Sequence, residues 1–208
     1  MINKELKEFI QNEIFPVYQK NDRGHNIEHI NYVIKRSLKF AKTKPNININ
    51  MVYTIAAFHD IGCHIDRKNH ELVSARILTS SEKLKEFFSK EEIIIMKEAI
   101  EDHRASLECE PRSIYGKIVS SADRNTDIEN ILKRTYSYCL EHDSNKTIDE
   151  IIEKSRLHII DKFGPKGYAK EKIYFEDKDY NNFLKEVELF IKNKELFRKR
   201  FIETNNIK

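Results

Sequence analysis

Turn-forming residues are scarce in this 208-residue chain, which holds 5 glycines and 4 prolines. A β-rich fold needs such residues at its many tight turns, so their scarcity argues against one. Tryptophan is absent, and the three cysteines (Cys63, Cys109 and Cys139) are widely spaced and form no CxxC pair. That pattern excludes a disulfide framework and fits reduced thiols in a cytoplasm. A membrane span needs roughly 20 apolar residues, and the longest apolar runs, such as Met51 to Phe58 and Ile93 to Met96, are far shorter. Neither sign of charge dominates, since 37 Lys plus Arg stand against 34 Asp plus Glu for a formal +3. With no basic block or aromatic-studded basic stripe, long nucleic acid is not an expected partner. The opening MINKELKEFIQNEIF carries acidic residues at amphipathic spacing and does not read as a secretory leader. These absences predict a soluble, cytoplasmic protein without membrane contact.

What is abundant is charge, at 34% of residues, together with apolar residues that recur every three or four positions. Both features suit amphipathic helices that each bury one face, so the predicted fold class is all-α. The spacing predicts helices near 2–20, 28–43, 48–61, 70–79, 90–104, 113–124, 127–141, 147–163 and 179–203. Asn26, with Glu28 and His29 behind it, reads as a helix start; Lys44-Pro45-Asn46 reads as a stop; Gly62 is expected at the end of the helix carrying His59 and Asp60. The stretch 161–178 holds two glycines, a proline and dispersed charge, and reads as a long loop. One domain is expected, with a core over 1–143 and a helical extension over 144–208 packed on it.

Eight histidines are the unusual feature, and five of them (His25, His29, His59, His64 and His70) fall between positions 25 and 70. Histidine is the commonest metal ligand, and carboxylates complete sites for harder divalent ions. The sharpest candidate is His59-Asp60, at the end of the apolar run MVYTIAAF. A buried imidazole beside a buried carboxylate is costly unless a cation or hydrogen bonds compensate. Gly62 is expected to leave room there for water and substrate. Asp123 closes another apolar stretch, GKIVSSAD, behind small residues that let it sit close, and GHNIEHI offers His29 as a second imidazole.

The elements GHNIEHI, FHDIG and SSADR, in that order, resemble the HD-domain superfamily of metal-dependent phosphohydrolases. The likeness spans about 20 to 140, and NHELVSARIL and AIEDHR within it resemble a bacterial branch acting on nucleotides. The resemblance implies a multi-helix HD-domain bundle with His29, His59, Asp60 and Asp123 as metal ligands and Asp60 within reach of a water on the ion. His70 and His103 resemble positions that hold a second ion, bridged through the dyad carboxylate, in binuclear members. One divalent ion (Mn, Fe, Co, Ni, Zn or Mg) is expected first, with Asp60, His70 and His103 as the seat of a second. Without that second ion, His70 and His103 serve as proton or hydrogen-bond donors to a phosphoryl oxygen.

Around this set, His25 lines the site, although the family pattern follows it with Asp where this chain has Asn26. Arg67, Lys68, Arg104 and Arg124 are candidate phosphate contacts, because a guanidinium or ammonium suits phosphate oxygens. Arg104 and Arg124 also have a plainer reading as exposed ion pairs. His64, His142 and His158 read as ordinary surface histidines. The implied activity is metal-assisted hydrolysis of a phosphate ester or anhydride in a small phosphorylated molecule, a nucleotide first. The rivals are a di-iron oxygenase of the inositol oxygenase kind, which uses a similar ligand order, and a non-catalytic nucleotide-sensing module. A homodimer is the assembly to test.

Overall fold

The computed structural model describes residues 1–143, 145–170, 172 and 174–207, with only the backbone of Arg23. Among these residues every regular element is helical and no strand forms, so the fold is all-α. The chain divides into two compact units, 1–123 and 124–208. Among the described residues no helix is long and apolar enough to cross a membrane.

The first unit contains α1 (Lys4–Phe9), α2 (Ile27–Ala41), α3 (Ile49–Phe58), α4 (His70–Thr79), α5 (Lys90–Glu101) and α6 (Ile114–Ala122). Its centre is α3, in which every residue from Met51 to Phe58 is buried. A helix apolar on all sides has nowhere stable to lie except between others, and α2, α5 and α6 pack around it. Each fully buried Ile, Leu or Phe here contributes roughly 1.5–3 kcal/mol. The expected helix over 2–20 is continuous but uneven. α1 widens into a π turn over Ile10–Ile14 and tightens into a 3-10 turn over Phe15–Lys20. Pro16, which has no N–H to continue the ladder, sits at the change. The tight turn also serves α3, because the buried Tyr18 hydroxyl donates to Ala57 O at 2.8 Å and braces the end of that helix.

Caps fix the helix starts that matter. The Asn26 side chain accepts from Glu28 N and His29 N, both at 3.1 Å, as the sequence predicts. Ser89 and Glu92 form a capping box on α5, worth about 1 kcal/mol. A short 3-10 turn at Glu82–Glu86, not anticipated from the sequence, joins α4 to α5.

The second unit contains α7 (Ile128–His142), α8 (Ile148–Phe163), α9 (Lys178–Lys192) and α10 (Lys194–Asn205). α7, expected with the core, packs on α8 and α10. Tyr180, Phe183, Phe190, Phe197 and Phe201 are buried in it. The single helix expected over 179–203 is two helices, because the backbone of Asn193 is extended and its side chain caps α10 by accepting from Leu196 N. Asn competes with helical backbone hydrogen bonding in this way. Of the loop expected over 161–178, Glu171 and Ile173 lie outside the described residues, as do Ser144 and Lys208.

Candidate metal centre

Four side chains from three elements converge in the first unit. His29 stands one turn into α2, His59 and Asp60 occupy the turn that ends α3, and Asp123 caps the end of α6. One ligand atom from each lies within 4.8 Å of all the others. His29 Nε2 is 3.3 Å from Asp60 Oδ2 and 3.1 Å from Asp123 Oδ1. His59 Nε2 is 3.3 Å from Asp60 Oδ2 and 3.9 Å from Asp123 Oδ1. The second group is built on the other oxygen of the same carboxylate: Asp60 Oδ1 is 3.2 Å from His70 Nε2 and 3.5 Å from His103 Nε2. His70, from the first position of α4, and His103, just beyond α5, bring their Nε2 atoms to 3.3 Å of each other.

The imidazoles are aimed by the backbone. Nδ1 of His59 donates to Ala56 O at 2.8 Å, that of His103 to Ile100 O at 2.6 Å, and that of His70 to Arg67 O at 3.1 Å. A carbonyl only accepts, so each Nδ1 carries a proton and each Nε2 is the atom presented to the cluster, there to hold a second proton or a metal ion. The Nε2 atoms of His29 and His59 and Asp60 Oδ1 are buried without a hydrogen-bond partner. Lone pairs and carboxylate oxygens crowded together in this way repel unless positive charge lies among them, as protons or as a metal ion. Mixed imidazole and carboxylate donors fit a divalent transition ion.

The electrostatics of the metal-free protein agree. Burial by itself lowers the pKa of an imidazole, but Asp60 and Asp123 outweigh it, raising His29 and pushing His59 up to about 9. Burial likewise raises a carboxyl, yet the surrounding imidazoles hold Asp60 and Asp123 well below the usual carboxylate range.

Close packing sets the dyad turn in place. A Cβ on Gly62 would meet Ser74 N and Val73 Cβ at 2.8 Å, and Gly62 N donates to Ser74 Oγ at 2.9 Å. The missing side chain therefore makes space for α4, and not the expected space for water and substrate. From the other side, Asn21 Nδ2 donates to Asp60 O at 3.0 Å and to His25 O at 3.1 Å, and its Oδ1 accepts from His64 N at 3.0 Å. Arg36, buried on the face of α2 that carries His29, donates through Nε to Ala122 O at 3.1 Å, a cation on the carbonyl end of α6 that steadies Asp123. Asp102 is clasped by Arg112 Nε and Nη2 at 2.8–3.1 Å, which anchors the residue before His103. Sequence reading missed all four roles. Only Arg36, a charge on an otherwise apolar helix face, left a signal.

The outer candidates divide. His25 is buried, its ring edge-on to His29 with centroids 5.8 Å apart, and Nδ1 donates to Asp22 Oδ1 at 2.7 Å. Arg67 donates to His25 Nε2 at 3.0 Å and lies 3.3 Å from Asp22 Oδ2. Burial opposes ionisation of Asp22, but His25 and Arg67 hold it far below the usual carboxylate range. Lys68 is exposed next to Arg67. Arg104 is committed to the Glu71 carboxylate at 3.1 and 3.2 Å and to Lys68 O at 2.8 Å, which is the ion-pair arrangement. Arg124, the first residue of the second unit, is buried directly after Asp123. His64 turns its Nδ1 to Asn21 Oδ1, outside both ligand groups.

Comparison with known proteins places this geometry. Residues 26–126, the span that contains every ligand of both groups, match the model of the HD domain. No curated protein matches the chain. A solved structure described as a predicted HD superfamily hydrolase from an uncultured Thermotogales bacterium aligns over 76% of this chain and 87% of its own, at 20% identity and a TM-score of 0.48. The domain match and the ligand order carry the assignment without it. Residues 26–126 of this chain therefore form an HD domain.

Proposed function

We propose that this chain is a divalent-metal-dependent phosphohydrolase acting on a small phosphorylated molecule, with nucleotides as the first substrate class. The observation that carries the proposal is the convergence of His29, His59, Asp60 and Asp123 on one point inside an HD domain. That combination supports metal-dependent phosphate ester or anhydride hydrolysis in general. The nucleotide class is supported by the likeness of NHELVSARIL and AIEDHR to a nucleotide-acting branch.

His29, His59, Asp60 and Asp123 would hold the ion, and Asp60 Oδ1, His70 and His103 would hold a second. When bound, a divalent ion supplies Lewis acidity, lowering the pKa of a coordinated water and offsetting charge on a phosphoryl group. The chain's own groups do the rest. Asp60 presents one oxygen to each ligand group and so ties the two together. With its Nδ1 fixed on Ile100 O, His103 offers Nε2 beside His70 for a proton or ion, the place from which a departing oxygen is protonated. Arg67 and Lys68, exposed on the loop before α4, take substrate oxygens, and His25 lines the site by accepting from Arg67. Arg104, committed to Glu71, supports that loop.

The test is to strip metals, restore Mn, Fe, Co, Ni, Zn and Mg one at a time, and measure phosphate or pyrophosphate release from a nucleotide panel. Turnover should return with at least one ion and fall by roughly a hundredfold or more in His59→Ala and Asp123→Asn. Wild-type turnover in either variant, or none with any ion, overturns the proposal. The bridging position of Asp60 also suits a di-iron oxygenase. Two irons per chain with oxygen consumption on a polyol, and no phosphate release, would decide for that alternative.

A further inference from the structure

Asp22 belongs to neither ligand group, yet three contacts make it the fixed point of a small relay. Its Oδ1 accepts from Gly24 N at 2.7 Å and from His25 Nδ1 at 2.7 Å. Its Oδ2 lies 3.3 Å from Arg67 Nε. Because His25 gives its Nδ1 proton to a carboxylate, its Nε2 must be the acceptor for Arg67 Nη2, at 3.0 Å. Asp22 therefore holds Arg67 twice, directly and through a buried imidazole. Arg67 comes from a loop more than forty residues away in sequence, and its side chain is otherwise half exposed.

The N–H donated to His25 and the ion pair at Nε orient the guanidinium, which has five N–H groups in all. Nη1 lies on the side of His70, 3.5 Å from His70 Nδ1. A planar fork of N–H groups in a fixed orientation suits the oxygens of a phosphoryl group. An unrestrained arginine at the same exposure loses side-chain entropy each time it binds.

We propose that Asp22 is a positioning residue, which sets the Arg67 guanidinium beside His70 so that its outward N–H groups bind the phosphoryl oxygens of the substrate. This rests on the phosphohydrolase proposal and adds a residue that acts through another without touching metal or substrate.

The experiment measures two equilibria by calorimetry on the full chain: Mn2+ binding to the metal-free protein, and inorganic phosphate binding to the Mn2+-loaded protein. Wild type, Asp22→Asn, Arg67→Ala and the double variant are compared. Asn at position 22 keeps an oxygen for Gly24 N, which protects the local turn. Asp22→Asn and Arg67→Ala should each weaken phosphate binding by about tenfold, the effect of losing a charged hydrogen bond. Mn2+ affinity should hardly change. The double variant should bind phosphate no more weakly than Arg67→Ala, because Asp22 works through Arg67. If Asp22→Asn binds phosphate like wild type, if it weakens phosphate as much without Arg67 as with it, or if Mn2+ affinity falls in parallel, the positioning role is overturned. Wild-type protein that takes up Mn2+ but binds no phosphate at all overturns the phosphohydrolase proposal as well, so the two failures are distinguishable.

Discussion

His59 and Asp60 are neighbours in the chain and also in space, with Nε2 and Oδ2 3.3 Å apart. In the metal-free protein their attraction keeps a proton on the imidazole: against the lowering effect of burial, Asp60 pushes His59 up to about 9. A metal ion must displace that proton to reach Nε2. Metal affinity should therefore tighten as pH rises toward about 9, and uptake at neutral pH should release protons. Calorimetry of Mn2+ binding in buffers of different ionisation enthalpy checks this, and a heat independent of the buffer would contradict it. The convergence of these four candidate ligands was legible in the sequence because each is a polar group at the end of an apolar helix or on its buried face. Asn21 and Asp22 were not. They sit in a short irregular stretch with no periodic pattern, and their partners lie 39 to 43 residues ahead or on the far loop.

At the level of elements, the turn after α3 depends on its contact with α4. Gly62→Ala would drive a methyl into Ser74 N and Val73, where backbone cannot yield cheaply. The expected loss is about 1–3 kcal/mol of stability, together with weaker metal binding because His59 and Asp60 ride on the same turn. Denaturant melts and Mn2+ titration of the variant check both, and wild-type values would show that α4 can shift. Sequence periodicity located most of the helices, since a buried face leaves a repeat of three and four. It did not divide α9 from α10, where the apolar repeat runs on through Asn193 and only the cap marks the break. It also gave Gly62 the right place and the wrong neighbour, because a glycine reports that something lies close without saying whether that is solvent or another helix.

For the whole molecule, an ion that binds only the folded chain stabilises it by mass action, about 2.7 kcal/mol at a free concentration one hundred times its dissociation constant. Melting temperature should rise with added Mn2+ and return with chelator. Because every candidate ligand lies in residues 1–123, added hydrogen-exchange protection should concentrate in α2, α3 and α6 and leave α7 to α10 nearly unchanged. Equal protection in both units would mean that the ion reports on something other than this centre. The division between units was the least legible feature, since α7 shows the same amphipathic spacing as its neighbours and nothing local reveals which helices it will join. The aim of three histidines, in contrast, is settled within four residues of chain, each ring tethered to a carbonyl three positions upstream. A ring aimed by the chain's own path takes its direction without a neighbouring side chain, so each of these three histidines could be carried onto a differently packed scaffold if that path were copied with it.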